Sequence, residues 1–305
     1  MPVTDMQITF QSAVTNAVMN KKSLIVVEGK DDIGIYSDLL IDKINSFNIK
    51  PIEYFKNCSP GCKEIEDQID FINEVYPEGH KVYNFFKGII DRDTKPFRGD
   101  SCNKLGAFYL NTYSFENSFV TENSIITTVK LLTSTSAEQL DQKLTNKVLA
   151  LINQQFVDFY YICLEALKNA VEDNYDGLIG FSQGYDRLLY DQDMKDQLEL
   201  KKSDLDVFAT QHGINSDCIL NMKSYCKGKW HLRYFLASVQ RFIANLYEFC
   251  GTELSKCPYC EIGDNDRCLY KPSTTMNVEH IIKSIKSNIS NADLNILRVE
   301  LLKMA

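Results

Sequence analysis

Four short runs of mainly β-branched or aromatic residues, separated by segments of helical periodicity, fill the first 122 residues. Strands that alternate with helices restrict a chain to a largely parallel sheet with helices on its faces. The first run, Leu24–Val27, ends at Glu28 and a Gly29 turn. The second is Ile52–Phe55, the third spans 82–90 and runs straight into Asp91-Arg92-Asp93, and the fourth is Ala107–Leu110. Between them, apolar residues recur at helical intervals over 6–20, from Asp31 through Ile44 and Phe47, and over 61–75.

From about residue 123 helical periodicity takes over, as in Val148, Ile152, Phe156 and Phe159, and the remainder from about 246 carries a cluster of cysteines. The expected organisation is therefore an α/β domain over 1–122, a helical domain over 123–245 and a cysteine-rich module over 246–305. The acidic, polar stretch 185–206 reads as solvated helix and loop. A chain of 305 residues with 44% apolar and 24% charged residues is that of an ordinary globular protein. No stretch approaches the roughly 20 apolar residues that span a bilayer, and the start MPVTDMQITF has no signal-peptide pattern. A soluble, cytoplasmic protein with its ten cysteines reduced is expected, with no membrane partner. A net charge of −8 excludes a protein that coats nucleic acid by bulk attraction, so any such contact is local.

In parallel sheets ligands gather outside the carboxyl ends of the strands. Glu28 ends one expected strand, and Asp91 and Asp93 follow another. If those strands are near neighbours, three carboxylates share one edge. Their mutual repulsion is relieved by a hard cation, and Mg²⁺ (or Mn²⁺) suits such oxygen ligands while keeping waters for a substrate phosphate.

The segments VVEGKDD at 26–32 and IIDRD at 89–93 together resemble the Toprim fold of topoisomerases, primases and OLD-family nucleases. YSFENSF at 113–119 resembles a Ser-x-Glu-Asn element of Toprim effectors from bacterial defence loci, and Lys227-Gly228-Lys229 matches their layout. The likeness narrows to the effectors of the PARIS anti-phage system. It implies a Toprim-like fold in which Glu28 is a general acid/base or metal ligand and Asp91 and Asp93 are Mg²⁺ ligands. Glu116 would be a further ligand, and Lys30 would offset phosphate charge; an acid at a helix start and an exposed turn lysine are the bland readings of these two. It also implies a toxin, held by an ABC-type ATPase subunit, that cleaves host RNA such as transfer RNA on release and self-associates. A DNA nuclease of OLD type and a non-catalytic scaffold are the alternatives. No GxxxxGK[ST] loop occurs, so ATP hydrolysis through such a loop belongs to another chain.

Cys257-Pro-Tyr-Cys260 has the spacing of a zinc-knuckle pair, with Cys268 and His280 completing a structural Zn²⁺ site and Cys250 as the substitute ligand. The same CPYC with Val278-Glu279-His280-Ile281 faintly resembles an HNH nuclease. It departs from that pattern, because no histidine follows His280 and the preceding acid is Glu279. Cys58 and Cys62 read as local thiols. The stretch 223–233 is the best basic patch: Lys227, Lys229 and Arg233 would contact phosphates, with Tyr225 and Trp230 as stacking surfaces. A helix with a charged face and a buried tryptophan is the competing reading.

Overall fold

The computed structural model describes residues 7–215, 217–288 and 292–305. They fall into two compact units, one of Met1–Asn111 with Ile289–Ala305 and one of Thr112–Asn288.

The first unit is built on a parallel four-stranded sheet of order β2-β1-β3-β4. Strand β1 (Ser23–Val27) is buried along its whole length because it pairs on both sides, with β2 (Phe47–Pro51) and β3 (Phe86–Ile90). Strand β4 (Ala107–Tyr109) closes the far edge. Helix α1 (Phe10–Asn20) starts at Thr9, whose side chain accepts from the Ser12 amide, and buries Phe10, Ala13, Val14 and Ala17. Met6, expected in this helix, lies outside the described residues. Helix α2 (Asp32–Leu39) follows β1, α3 (Cys62–Val75) follows β2, and the short α4 (Lys95–Arg98) follows β3. Ile65, Ile69 and Ile72 of α3 share one core with α1 and with Leu24, Val26, Phe86 and Ile90. At Gly88 a Cβ would stand 2.6 Å from Ile65 Cγ2, so the glycine permits this close approach of α3 to the sheet.

Three boundaries differ from expectation. The second strand is Phe47–Pro51, and Ile52–Tyr54 is a single 3₁₀ turn. Its alternating burial, and a proline that an edge position tolerates, mark an edge strand that an apolar-run reading passes over. The helix expected through Ile44 and Phe47 ends at Leu39; a 3₁₀ segment, Ile41–Ser46, leads into β2, which takes Phe47. Residues 81–84 form a 3₁₀ turn, so the third strand is shorter than 82–90.

The chain's last helix, Ala292–Leu302, returns to this unit. Arg298 donates to the Leu39 carbonyl at 3.1 Å and pairs with Asp42 at 2.7 Å, while Ser23 donates to the Met304 carbonyl. Packing thus divides the expected 246–305 module, and it sets the first boundary after Asn111 rather than 122.

The second unit is helical. Its helices are α5 (Glu122–Leu132), α6 (Gln142–Asn153), α7 (Val157–Val171), α8 (Tyr185–Tyr190), α9 (Gln192–Gln211), α10 (Gly228–Ile243), α11 (Pro258–Glu261) and α12 (Val278–Lys286). The Phe159 and Tyr234 rings stack at 4.0 Å between centroids, joining α7 to α10. The stretch 185–206 is not merely solvated, since Leu198 and Leu205 of α9 are buried. Fully buried Glu165 on α7 accepts from Tyr175 Oη (2.6 Å), the Leu178 amide (2.7 Å) and Lys201 Nζ (3.1 Å), which satisfies its charge. The cysteine-bearing segment is stitched to the end of α5, where the Ser134 amide donates to the Leu269 carbonyl and the Ser273 amide to that of Leu132. Among the described residues no helix is long and apolar enough to cross a membrane.

Candidate functional site

Val26 of β1 lies opposite Gly88 of β3 in parallel register, so two residues further on Glu28 comes opposite Ile90, and Asp91 follows immediately. Both acids thus leave neighbouring strands at the carboxyl edge, half-buried, with Asp93 two residues beyond. Cys62, the first residue of α3, ties the two strand ends together. Its Sγ donates to Glu28 Oε2 at 3.2 Å and accepts from the Asp91 amide at 3.3 Å. Burial, then the charges of Glu28, Asp91 and Asp93, push the Cys62 thiol far up, so it is protonated at neutral pH. Asp93 adopts a left-handed backbone (φ 48°), one that aspartate tolerates better than most residues.

The turn after Glu28 is pinned by side chains. The Gly29 amide donates to Asp32 Oδ2 at 3.1 Å and the Lys30 amide to Glu53 Oε1 at 3.2 Å; the Lys30 side chain is exposed. Glu53 Oε2 is the one buried side-chain polar atom, among the described residues, without a hydrogen-bond partner. Glu53 and Cys62 were not expected at this edge from sequence. Neither carries a strand-end signal of its own; the parallel pairing of β2 and the start of α3 bring them there.

The groups at this edge are carboxylate oxygens and a thiol that stays protonated, which is the chemistry of hard rather than soft metal donors. The acids are not drawn together as ligands that fully enclose an ion, since among the described residues the cysteine quartet discussed below is the one group of three or more such side chains gathered closely enough to hold one. Mg²⁺ needs no such cage, because it keeps several waters and takes one or two carboxylates plus phosphate oxygens.

Glu116 belongs to the second unit and is nearly fully buried. Ser114 Oγ donates to its Oε2 at 2.9 Å, and Lys286 Nζ lies 3.7 Å from its Oε1. Asn117 accepts from the Ser114 amide, and its Nδ2 donates to the Cys226 carbonyl and to His231 Nδ1, each at 3.0 Å. His231 Nε2 lies 2.8 Å from the Ile219 carbonyl. A carbonyl only accepts, so Nε2 carries the proton and Nδ1 is free to accept from Asn117. Complete burial lowers the His231 pKa to about 3, which keeps the ring neutral. Gly228 completes the cluster, for a Cβ there would stand 2.0 Å from Ser114 Oγ. Ser-x-Glu-Asn and Lys-Gly-Lys are therefore packed against each other, and the immediate partners of Glu116 are internal.

The expected basic patch does not form as read. Tyr225 and Trp230 are buried in the helical core and offer no stacking surface. Lys227 Nζ donates to the Phe181 carbonyl at 2.7 Å, and Arg233 pairs with Glu279 at 2.6 Å. Lys229 is exposed. The amphipathic period of α10 places Trp230 inward and separates it from Lys229 and Arg233, while Tyr225 is buried just ahead of the helix.

Cys250, Cys257, Cys260 and Cys268 bring their Sγ atoms within 4.8 Å of one another. Tetrahedral Zn–S bonds of about 2.3 Å require sulfurs about 3.8 Å apart, and Cys257 and Cys268 are separated by 3.9 Å. This donor set fits zinc. Cys250 takes the fourth place, while His280 is exposed on α12 and lies outside the quartet. Cys257 titrates at about 7: burial opposes its thiolate, but the Leu269 and Cys260 amides and neighbouring thiols outweigh that cost. Burial and neighbouring thiols raise Cys260, and burial raises Cys268 to about 11. Without a cation Cys257 on one side and Cys260 and Cys268 on the other are pulled in opposite directions, and a metal would resolve that conflict.

The fold and sites define an α/β unit with an acidic strand edge and a helical unit with a cluster of four cysteines spaced to hold a metal ion. No protein-family model matches this sequence, and no curated protein matches it.

Proposed function

We propose that the chain is a Toprim-type nuclease that uses Mg²⁺ or Mn²⁺ at Glu28, Asp91 and Asp93, with zinc in the cysteine quartet as a structural staple. The observation that carries this reading is the single thiol of Cys62 hydrogen-bonded to both Glu28 and the Asp91 amide at adjacent strand ends. A divalent cation held there would neutralise the charge that develops on a scissile phosphate. The carboxylate of Glu28 would hold or move the proton at the attacking or leaving oxygen. Lys30, exposed in the pinned turn, would meet phosphate charge in this reading. Glu116, given its partners, acts in this reading by ordering its own turn rather than as a metal ligand.

The resemblance extends the proposal to AriB-like effectors of the PARIS system: a toxin released from an ABC-type ATPase subunit, cutting host RNA such as transfer RNA. Purified chain incubated with Mg²⁺ or Mn²⁺ and labelled RNA, single-stranded DNA or duplex DNA tests the activity and its substrate. RNA cleavage supports the toxin reading, and cleavage of DNA alone moves it to the OLD type. No cleavage of any substrate leaves the scaffold alternative. Co-elution with an ABC-type ATPase encoded nearby, after co-expression, tests the partnership separately.

A further inference from the structure

Strand β2 shows two different faces. Phe47, Ile49 and Pro51 are buried, whereas Asn48 and Lys50 point to the side that α1 covers elsewhere. Their register partners on β1 are Leu24 and Val26, both buried in the core that α1 shares. Among the described residues, helix α1 therefore roofs β1 and β3 and leaves that face of β2 open. The result is a cleft of about 230 Å³ between α1 and the edge strand, open to solvent. Its floor is apolar, with Ala17 and Phe55, and its rim carries Asn16, Asn20, Lys22, Asn48, Lys50 and Tyr54.

The rim has the chemistry of a phosphorylated nucleoside site. Asn16 and Asn20 are four residues apart on α1 and so share a face. Among the described residues the lining contains two ammonium groups and no carboxylate, in a chain whose net charge is −8. Lys50 Nζ lies 4.3 Å from the Tyr54 ring centroid, and the tyrosine is 42% exposed. Glu53, beside Tyr54, is turned to the Lys30 amide. Ammonium groups for phosphate, amides for base edges and an exposed ring for stacking are the elements of single-strand recognition. The volume lies below the roughly 300–1,000 Å³ of drug-sized pockets, which suits one nucleotide unit, and the open side lets a strand continue.

We propose that this cleft binds a nucleoside phosphate, as one unit of a single-stranded nucleic acid; the choice of a strand over a free nucleotide rests on the nuclease reading. The test measures binding of a fluorescent single-stranded RNA and of adenosine monophosphate to the full chain without added divalent cation. Lys22→Glu/Lys50→Glu is compared with Lys130→Glu/Lys143→Glu, which changes net charge equally at exposed lysines on the other unit. The cleft variant is expected to lose about tenfold or more in RNA affinity. Its salt dependence should flatten by about 1.4 in logarithmic slope, the share of two single-strand phosphate contacts. The control variant should lose much less. If adenosine monophosphate binds as tightly as RNA with the same loss, the cleft is a free-nucleotide site, and the shared chemistry stands. RNA and nucleotide binding that is equal in the wild type and the cleft variant, or undetectable in the wild type, overturns the proposal. Cleavage is scored separately. A wild type that binds through Lys22 and Lys50 but cleaves nothing keeps the cleft and removes the nuclease reading; one that cleaves while the cleft variant binds unchanged does the reverse.

Discussion

The Cys62 thiol donates to Glu28 Oε2 at 3.2 Å, and this contact turns two strand ends into one site because the same sulfur accepts the Asp91 amide. A neutral donor held against Glu28 fixes the carboxylate without competing for its charge. Cys62→Ala is expected to raise the Mg²⁺ concentration for half-maximal cleavage about fivefold, the equivalent of one hydrogen bond of about 1 kcal/mol. Cys62→Ser, which can replace the donor, should restore most of the loss. Equal Mg²⁺ dependence in wild type and Cys62→Ala would show that the thiol only fills space.

The chain should carry about one zinc. Cys250→Ser is expected to lose it, and His280→Ala to retain it, as measured by metal analysis of reduced protein. Binding must displace protons, since Cys260 and Cys268 are held above the ordinary thiol value. Affinity therefore rises with pH, and acidification should release the metal. A full zinc complement in Cys250→Ser would assign the fourth ligand elsewhere.

His231 should make the second unit acid-sensitive. Its pKa is about 3 in the fold and about 6.5 when unfolded. Between those values the unfolded chain binds a proton that the folded chain does not, so stability rises with pH across this window. Each pH unit below about 6.5 should cost up to about 1.4 kcal/mol. Urea unfolding from pH 7.5 to 4.5 should give a shallower pH slope for His231→Gln than for wild type, whatever their absolute stabilities. Parallel slopes would contradict the assignment.

Gly228→Ala should destabilise the same unit by about 1–3 kcal/mol, because the new methyl meets Ser114 Oγ, which is hydrogen-bonded to Glu116. Thermal unfolding of this variant, compared with Gly213→Ala, separates crowding from strain. At Gly213 the φ is +63° and, among the described residues, none beyond its chain neighbours comes within 4 Å of an added Cβ, so the backbone conformation is what is penalised.

The parallel sheet was legible because β1 is apolar from Leu24 to Val27 and β3 is broken only at Lys87, and both stop at acids; such runs mark strands buried on both faces. Strand β2 was misplaced because an edge strand alternates: Asn48 and Lys50 interrupt the apolar pattern that Ile52 and Phe55 appear to supply. Helical periodicity also claimed Phe47, which fits either period. Glu28 and Asp91 were readable from their strand-end positions. Cys62 and Glu53 were not, since only the pairing of three strands brings them to the same edge. In the cysteine cluster spacing located Cys257, Cys260 and Cys268. It put His280 ahead of Cys250 for the fourth place, and the structure reverses that order because the 250–270 loop folds back on itself. Trp230 was adjacent in sequence to the charges of Lys229 and Arg233, but the turn of α10 separates it from them.

The most direct measurement is the cleavage rate of Glu28→Ala against wild type, with both proteins folded by circular dichroism and equal in zinc content. Loss of a positioned acid/base at a metal site removes about 10²–10⁴-fold in rate, and Asp91→Ala and Asp93→Ala should fall with it. Glu28→Ala protein that cleaves nucleic acid at the wild-type rate would contradict the assignment of the catalytic edge.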